Sequence, residues 1–122
     1  NAPHYFGSAG LIPLWLAGDY IASGDMRAKV ALTKITNWLK TKTGGDAGRI
    51  VDGYRLNGDA MGTTGTMNFV APFGAIAIFD AANQAWLDAI WKLMAAAPAV
   101  SHAADSANLL GMLIVTGNWW AP

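Results

Sequence analysis

The sequence predicts an all-α fold, and three observations carry that expectation. Apolar residues recur at helical spacing over most of the 122 positions. Helical segments that are apolar on every side alternate with amphipathic ones. The joints between them are short and carry Gly, Asp or Pro, which end helices or cap them.

The first helix is expected over about Ala9–Ser23. Pro13 is tolerated only in its first turn. Leu11, Ile12, Leu14, Trp15 and Leu16 surround it, and before the terminal Ser23 only Asp19 and Tyr20 are polar. Gly24-Asp25 ends this helix and caps the next, from Met26 to Thr43. There Val30, Ala31, Ile35, Trp38 and Leu39 share a face, and five Lys and Arg residues between Arg27 and Lys42 take the other positions. The Lys residues of its last turn suit the negative end of the helix dipole.

Thr43–Asp46 breaks the pattern. Residues 50–66 then read as an irregular loop or small hairpin, with turn signals at Asp52-Gly53 and Asn57-Gly58. A third helix, apolar throughout, is expected over Asn68–Ala82. A fourth runs over Asn83–Ala97 and is closed by Pro98, with Trp86, Leu87, Ile90, Trp91 and Met94 on one face. A fifth, again apolar on every side, runs from about His102 to Gly117. Alternation of this kind suggests inner and outer layers of helical hairpins, as in an (α/α) toroid, or an irregular bundle.

Composition removes several function classes. The length gives a single domain over 1–122. Eight basic and eight acidic residues leave zero net charge, so neither nucleic acid nor a membrane surface is an expected partner. There is no Cys, hence no disulfide framework and no thiolate metal site. The longest apolar run, residues 69–79, is too short for a span of about 20 residues. The N-terminus has no basic n-region, so no signal peptide is read in this chain; a mature secreted or periplasmic protein fits. All eight acidic residues are Asp, and Trp is over-represented at six.

Four segments, in this order, carry a family resemblance: GDYIASGDMRAK (18–29), IVDGYRLNG (50–58), NFVAPFGAIA (68–77) and DSANLLGMLIVTGNWWAP (105–122). Together they resemble the C-terminal part of glycoside hydrolase family 8, the endo-β-1,4-glucanase or cellulase type. The resemblance implies a truncated piece, about the last third, of an (α/α)6 catalytic domain. It also implies polysaccharide degradation by inverting hydrolysis, with a Glu as general acid and a later carboxylate as base. The Glu would lie upstream of residue 1, and this chain holds none. The family's base falls in a Y-D-A-x-R motif; aligned here, its Asp position is Ser8, its Tyr position Gly7 and its Arg position Leu11. The family's sugar-stacking Tyr positions fall at Ala103 and Ala104. An inverting glycosidase needs two carboxyls roughly 6.5–9.5 Å apart, and a serine hydroxyl is no base at neutral pH.

The residues themselves give further candidates. Asp19 and Asp52 are the carboxylates that could form a substitute pair; the plainer readings are a helix-linking acceptor for Asp19 and a turn residue for Asp52. Asp105 reads as a helix N-cap. Trp15, Trp119 and Trp120 are the candidate glycan platforms, with core packing the rival role for Trp15. Trp38, Trp86 and Trp91 read as core. His4 and His102 lack any supporting ligand motif, so no metal and no cofactor is expected. Two functions follow. One is a carbohydrate-active protein acting on or binding β-1,4-glucan, catalytically incomplete by itself. The other is a non-catalytic glycan-binding or structural scaffold, natural or engineered. Half a toroid would expose apolar inner helices, so either a homodimer or a collapsed bundle is expected.

Overall fold

The computed structural model describes residues 4–120. Strand β1 (His4–Phe6) leads through a 3-10 turn (Gly7–Leu11) into helix α1 (Ile12–Ser23), followed by α2 (Met26–Lys42). Strand β2 (Gly53–Arg55) precedes α3 (Met67–Ala77), α4 (Gln84–Ala96) and α5 (His102–Val115).

Helix α3 is the centre. Every residue from Phe69 to Ala77 is buried, and α1, α2, α4 and α5 all pack against it. Small residues let these neighbours approach closely. A Cβ on Gly111 of α5 would meet the Ala71 Cβ and carbonyl of α3 at 3.1 Å, and one on Gly74 would lie 2.9 Å from Met94 Sδ of α4. Phe73, Ile76, Ile90, Met94 and Ile114 fill the remaining space at 2% exposure or less, at the tight density typical of protein interiors.

The helix signals in the sequence act locally. Gly24 takes a left-handed backbone (φ 68°) and ends α1 with its N–H on the Tyr20 carbonyl. The Asp25 carboxylate accepts from the Arg27 N–H and opens α2. The Arg27 side chain also donates to it, which holds the Asp25 carboxyl below the usual carboxylate range. Pro13 sits in the first turn of α1, where its missing N–H costs nothing. Pro72 lies inside α3 and leaves the Asn68 carbonyl without its helical donor.

The all-α toroid-arc expectation is corrected. The chain is mainly helical but carries a two-stranded antiparallel sheet, with His4 opposite Arg55, Tyr5 opposite Tyr54 and Phe6 opposite Gly53. Each strand has three residues, too few for a period-2 pattern to register. The segment 50–66 does fold back as a small irregular hairpin, with the Tyr54–Ala60 bridge flanked by the Arg55 N–H on the Asp59 carbonyl and the Met61 N–H on the Gly53 carbonyl; β2 takes the N-terminal strand as its ladder partner as well. Two further readings change. Ser101, not Asp105, caps α5 by accepting the Ala104 N–H, while the Asp105 carboxylate accepts from the Val100 N–H. Trp38 is not core; it is 39% exposed and stands edge-on to the buried Tyr54, with ring centroids 5.0 Å apart.

Candidate functional site

Strand register builds the site. Phe6 pairs with Gly53, so the residues just beyond, Gly7-Ser8 on one strand and Asp52 on the other, are brought side by side. Glycine at 53 lets the Phe6 ring lie close to the backbone: a Cβ there would be 2.8 Å from it and would push the exposed ring aside. Gly7 turns the chain with φ 60°, a backbone that tyrosine would adopt only under strain. The 3-10 turn then lies tight on the start of α3: a Cβ on Gly10 would meet the Phe69 ring at 2.8 Å and the Asn68 carbonyl at 2.9 Å.

The result is a cleft of about 300 Å³. Phe6, Gly7, Ser8 and Leu11 line it from the N-terminal segment, Asp52 from the start of the β2 segment, Thr66, Asn68 and Phe69 from the start of α3, and Ala103 from α5. Asp52 is half-buried. One oxygen, Oδ1, accepts from the Thr66 N–H at 2.6 Å and the Thr66 hydroxyl at 3.0 Å. The Asp52 N–H donates to the Thr64 carbonyl at 3.0 Å. This clamp fixes the carboxylate as an acceptor in the cleft lining. The plainer reading of Asp52, a turn residue, misses this, and no sequence signal singles out Thr66 as its partner.

The chemistry of the cleft is limited. Asp52 is the one carboxylate among its lining residues, and no histidine or lysine lines it to activate Ser8. Tyr5 lies behind the wall, edge-on to Phe69 with centroids 5.4 Å apart. Burial, with Tyr54 as a second cause, pushes its phenol well above the usual tyrosine range, so it holds its proton at neutral pH. Tyr54 is shifted in the same direction by burial, partly offset by the Val51 N–H that its oxygen accepts.

The other expected site residues lie along α1. Asp19 is exposed and does not line the cleft; it sits two turns beyond Leu11, so Asp19 and Asp52 are not brought together there. Trp15 is 56% exposed and follows Leu11 by four residues, hence on the same helical face. Trp119 is half-buried, its indole lying over Gly18, where a Cβ would be 3.4 Å from the ring. Trp120 beside it is 78% exposed. Trp15 and Trp119 therefore lie along α1, one turn apart, beyond the cleft.

No family model matches the chain. A curated endoglucanase from Bacillus sp. (strain KSM-330) is 41% identical over 118 residues, which is 97% of this chain and 25% of that protein. A beta-glucanase from Niallia circulans is 37% identical over 108 residues, 88% of this chain and 26% of that protein. The relatives are glucanases. Among solved structures, the apo beta-1,3-1,4-glucanase from Paenibacillus sp. X4 superposes with a TM-score of 0.92 at 34% identity, over 98% of this chain and 32% of that one. The match extends over both the helices and the small sheet, so the mixed arrangement is shared with that glucanase. The chain spans about a quarter of the length of the curated relatives it matches.

Proposed function

We propose that this chain is the C-terminal part of a family 8 glycoside hydrolase and handles a β-linked glucan along the Ser8–Asp52 cleft and the Trp15 face of α1. One observation carries the reading. Ser8, Leu11 and Ala103, positions that the family resemblance assigns to base, arginine and sugar contact, all line one cleft with Asp52. The glucanase relatives agree with a glucan as the polymer. Trp15 and Trp120 are the exposed tryptophans that can stack on sugars, whereas Trp119 packs on Gly18. A secreted or periplasmic location suits a polysaccharide substrate; among the described residues no helix is long and apolar enough to cross a membrane.

The chain alone is catalytically incomplete in this reading. Asp52 is a fixed carboxylate, and an inverting reaction needs a second one across the sugar. Saturable quenching of tryptophan fluorescence by cello-oligosaccharides, lost in Trp15→Ala, is the expected result. A flat titration removes the glucan reading.

A second reading, a non-catalytic scaffold that self-associates, is favoured by the exposed apolar side chains of Ile12, Trp15, Leu109 and Trp120. Its test is the mass by size-exclusion chromatography with light scattering at micromolar concentration: a dimer supports it, and a clean monomer ends it.

A further inference from the structure

The two-stranded sheet contributes to two grooves. Phe6 lines the cleft described above, whereas Tyr5 and Tyr54, paired across the strands, line a groove that Phe6 does not reach. This second groove, of about 310 Å³, is walled by Tyr5, Trp38, Tyr54, Arg55 and Phe73. Nothing in the glucan reading uses it.

Its chemistry differs from that of the first cleft. The Trp38 indole is part-exposed and held edge-on by Tyr54, so its orientation is fixed. Arg55, exposed, forms part of the facing wall. Lys34 and Lys42 stand four residues before and after Trp38 on α2, hence on the same helical face. Lys42 Nζ and the Trp38 ring approach Gly58 together. Lys42 has a loose carboxylate neighbour, Asp59, at 3.9 Å; no carboxylate lines the groove itself. The groove thus has one cation among its lining residues, Arg55, with two lysines flanking Trp38 on α2 outside the lining.

We propose that this groove is a second saccharide site, selective for acidic sugars: a uronic-acid unit whose ring stacks on Trp38 and whose carboxylate is received by Arg55 and the flanking lysines. Charge complementarity selects the class. A guanidinium matches a planar carboxylate through two parallel hydrogen bonds, and a pyranose ring offers the apolar face that an indole prefers. The volume suits a short saccharide, at the small end of ligand pockets of about 300–1,000 Å³. A single-stranded nucleic acid shares the aromatic and basic demands, but zero net charge on the chain provides no wider field to hold it. The proposal stands whether or not the Ser8–Asp52 cleft handles glucan.

Calorimetric titration of the 122-residue chain with a β-1,4-linked oligoglucuronate, the matching cello-oligosaccharide and a short oligo-dT tests it. Saturable binding of the oligoglucuronate, roughly tenfold tighter than the neutral sugar and weakened at high salt, is the expected result. Arg55→Gln, at an exposed position, is expected to remove that preference, and Trp38→Ala to abolish binding, with Trp38→Tyr restoring part of it. Equal affinity for neutral and acidic sugars overturns the proposal. So does tighter binding of oligo-dT, absence of heat with the oligoglucuronate, or an Arg55→Gln variant that binds as before. Loss of the signal in Trp15→Ala with Arg55→Gln unaffected assigns it to the first cleft and also overturns the proposal.

Discussion

Helices α1 and α3 look alike in sequence and end up in opposite surroundings. Both are apolar around nearly their whole circumference. Helix α3 is buried along its length from Phe69 to Ala77, with neighbours on all sides. Helix α1 packs on α2 and α3 with Leu14 and Ala17 but leaves Ile12, Trp15 and Ile21 exposed. Apolar composition therefore states that a helix can be buried on a given side; the number of partners decides whether it is. The uncovered side of α1 is the one that carries Trp15 and meets Trp119 at Gly18, and it begins at the cleft. An apolar face left open next to a cleft is a surface for a ligand or for more protein.

Four substitutions sharpen this contrast, from the largest effect to the smallest. Phe73→Ala empties the middle of α3 and is expected to cost about 3–5 kcal/mol in urea unfolding; a loss under about 1 kcal/mol would break the picture of α3 as a sealed centre. Gly111→Val forces a side chain between α5 and Ala71 and is expected to cost about 1–3 kcal/mol by the same measurement. Thr66→Val keeps the N–H on Asp52 but removes the hydroxyl, for a loss of about 1 kcal/mol in thermal or chemical unfolding. Trp15→Ala, on the open face, should change stability by no more than about 0.5 kcal/mol while removing retention on immobilised glucan. A large stability loss at Trp15 would make it a packing residue and erase the distinction between the two helices.

The sequence carried the helices well and the sheet not at all. Asp25 before Met26, with lysines at the end, marks both ends of α2, and Gly24 and Pro13 mark α1. These are local signals, set by capping and backbone preference. The sheet is a contact between residues 47 or more positions apart, made by three residues on each side, and no periodicity announces it. The third helix was expected to reach Ala82, yet α3 stops at Ala77. The Asp80 carboxylate accepts from the Ala82 N–H and starts a separate turn, a capping signal present in the sequence but outweighed by the apolar run.

The site shows the same division. Ser8, Leu11 and Ala103 were singled out by family resemblance, and they do converge; helical pattern alone gives no reason to group them. Asp52 was visible as a turn residue, but the strand pairing that sets it beside Ser8 was not, and neither was the grip of Thr66. Helical periodicity puts Trp38 on the apolar face of α2 without identifying what covers that face. The inner face of α2 is filled by Ala28, Leu32, Thr36 and Leu39, which leaves Trp38 at the edge over Tyr54.

The central claim is that this chain grips a glucan yet supplies only one of the two carboxyls that hydrolysis needs. Reducing-end release from carboxymethylcellulose and from β-1,3-1,4-glucan, measured on the same sample that quenches with cello-oligosaccharides, tests it most directly. The account predicts saturable quenching with no release above a buffer blank. Release that disappears in Asp52→Asn would contradict it and make the chain a complete enzyme.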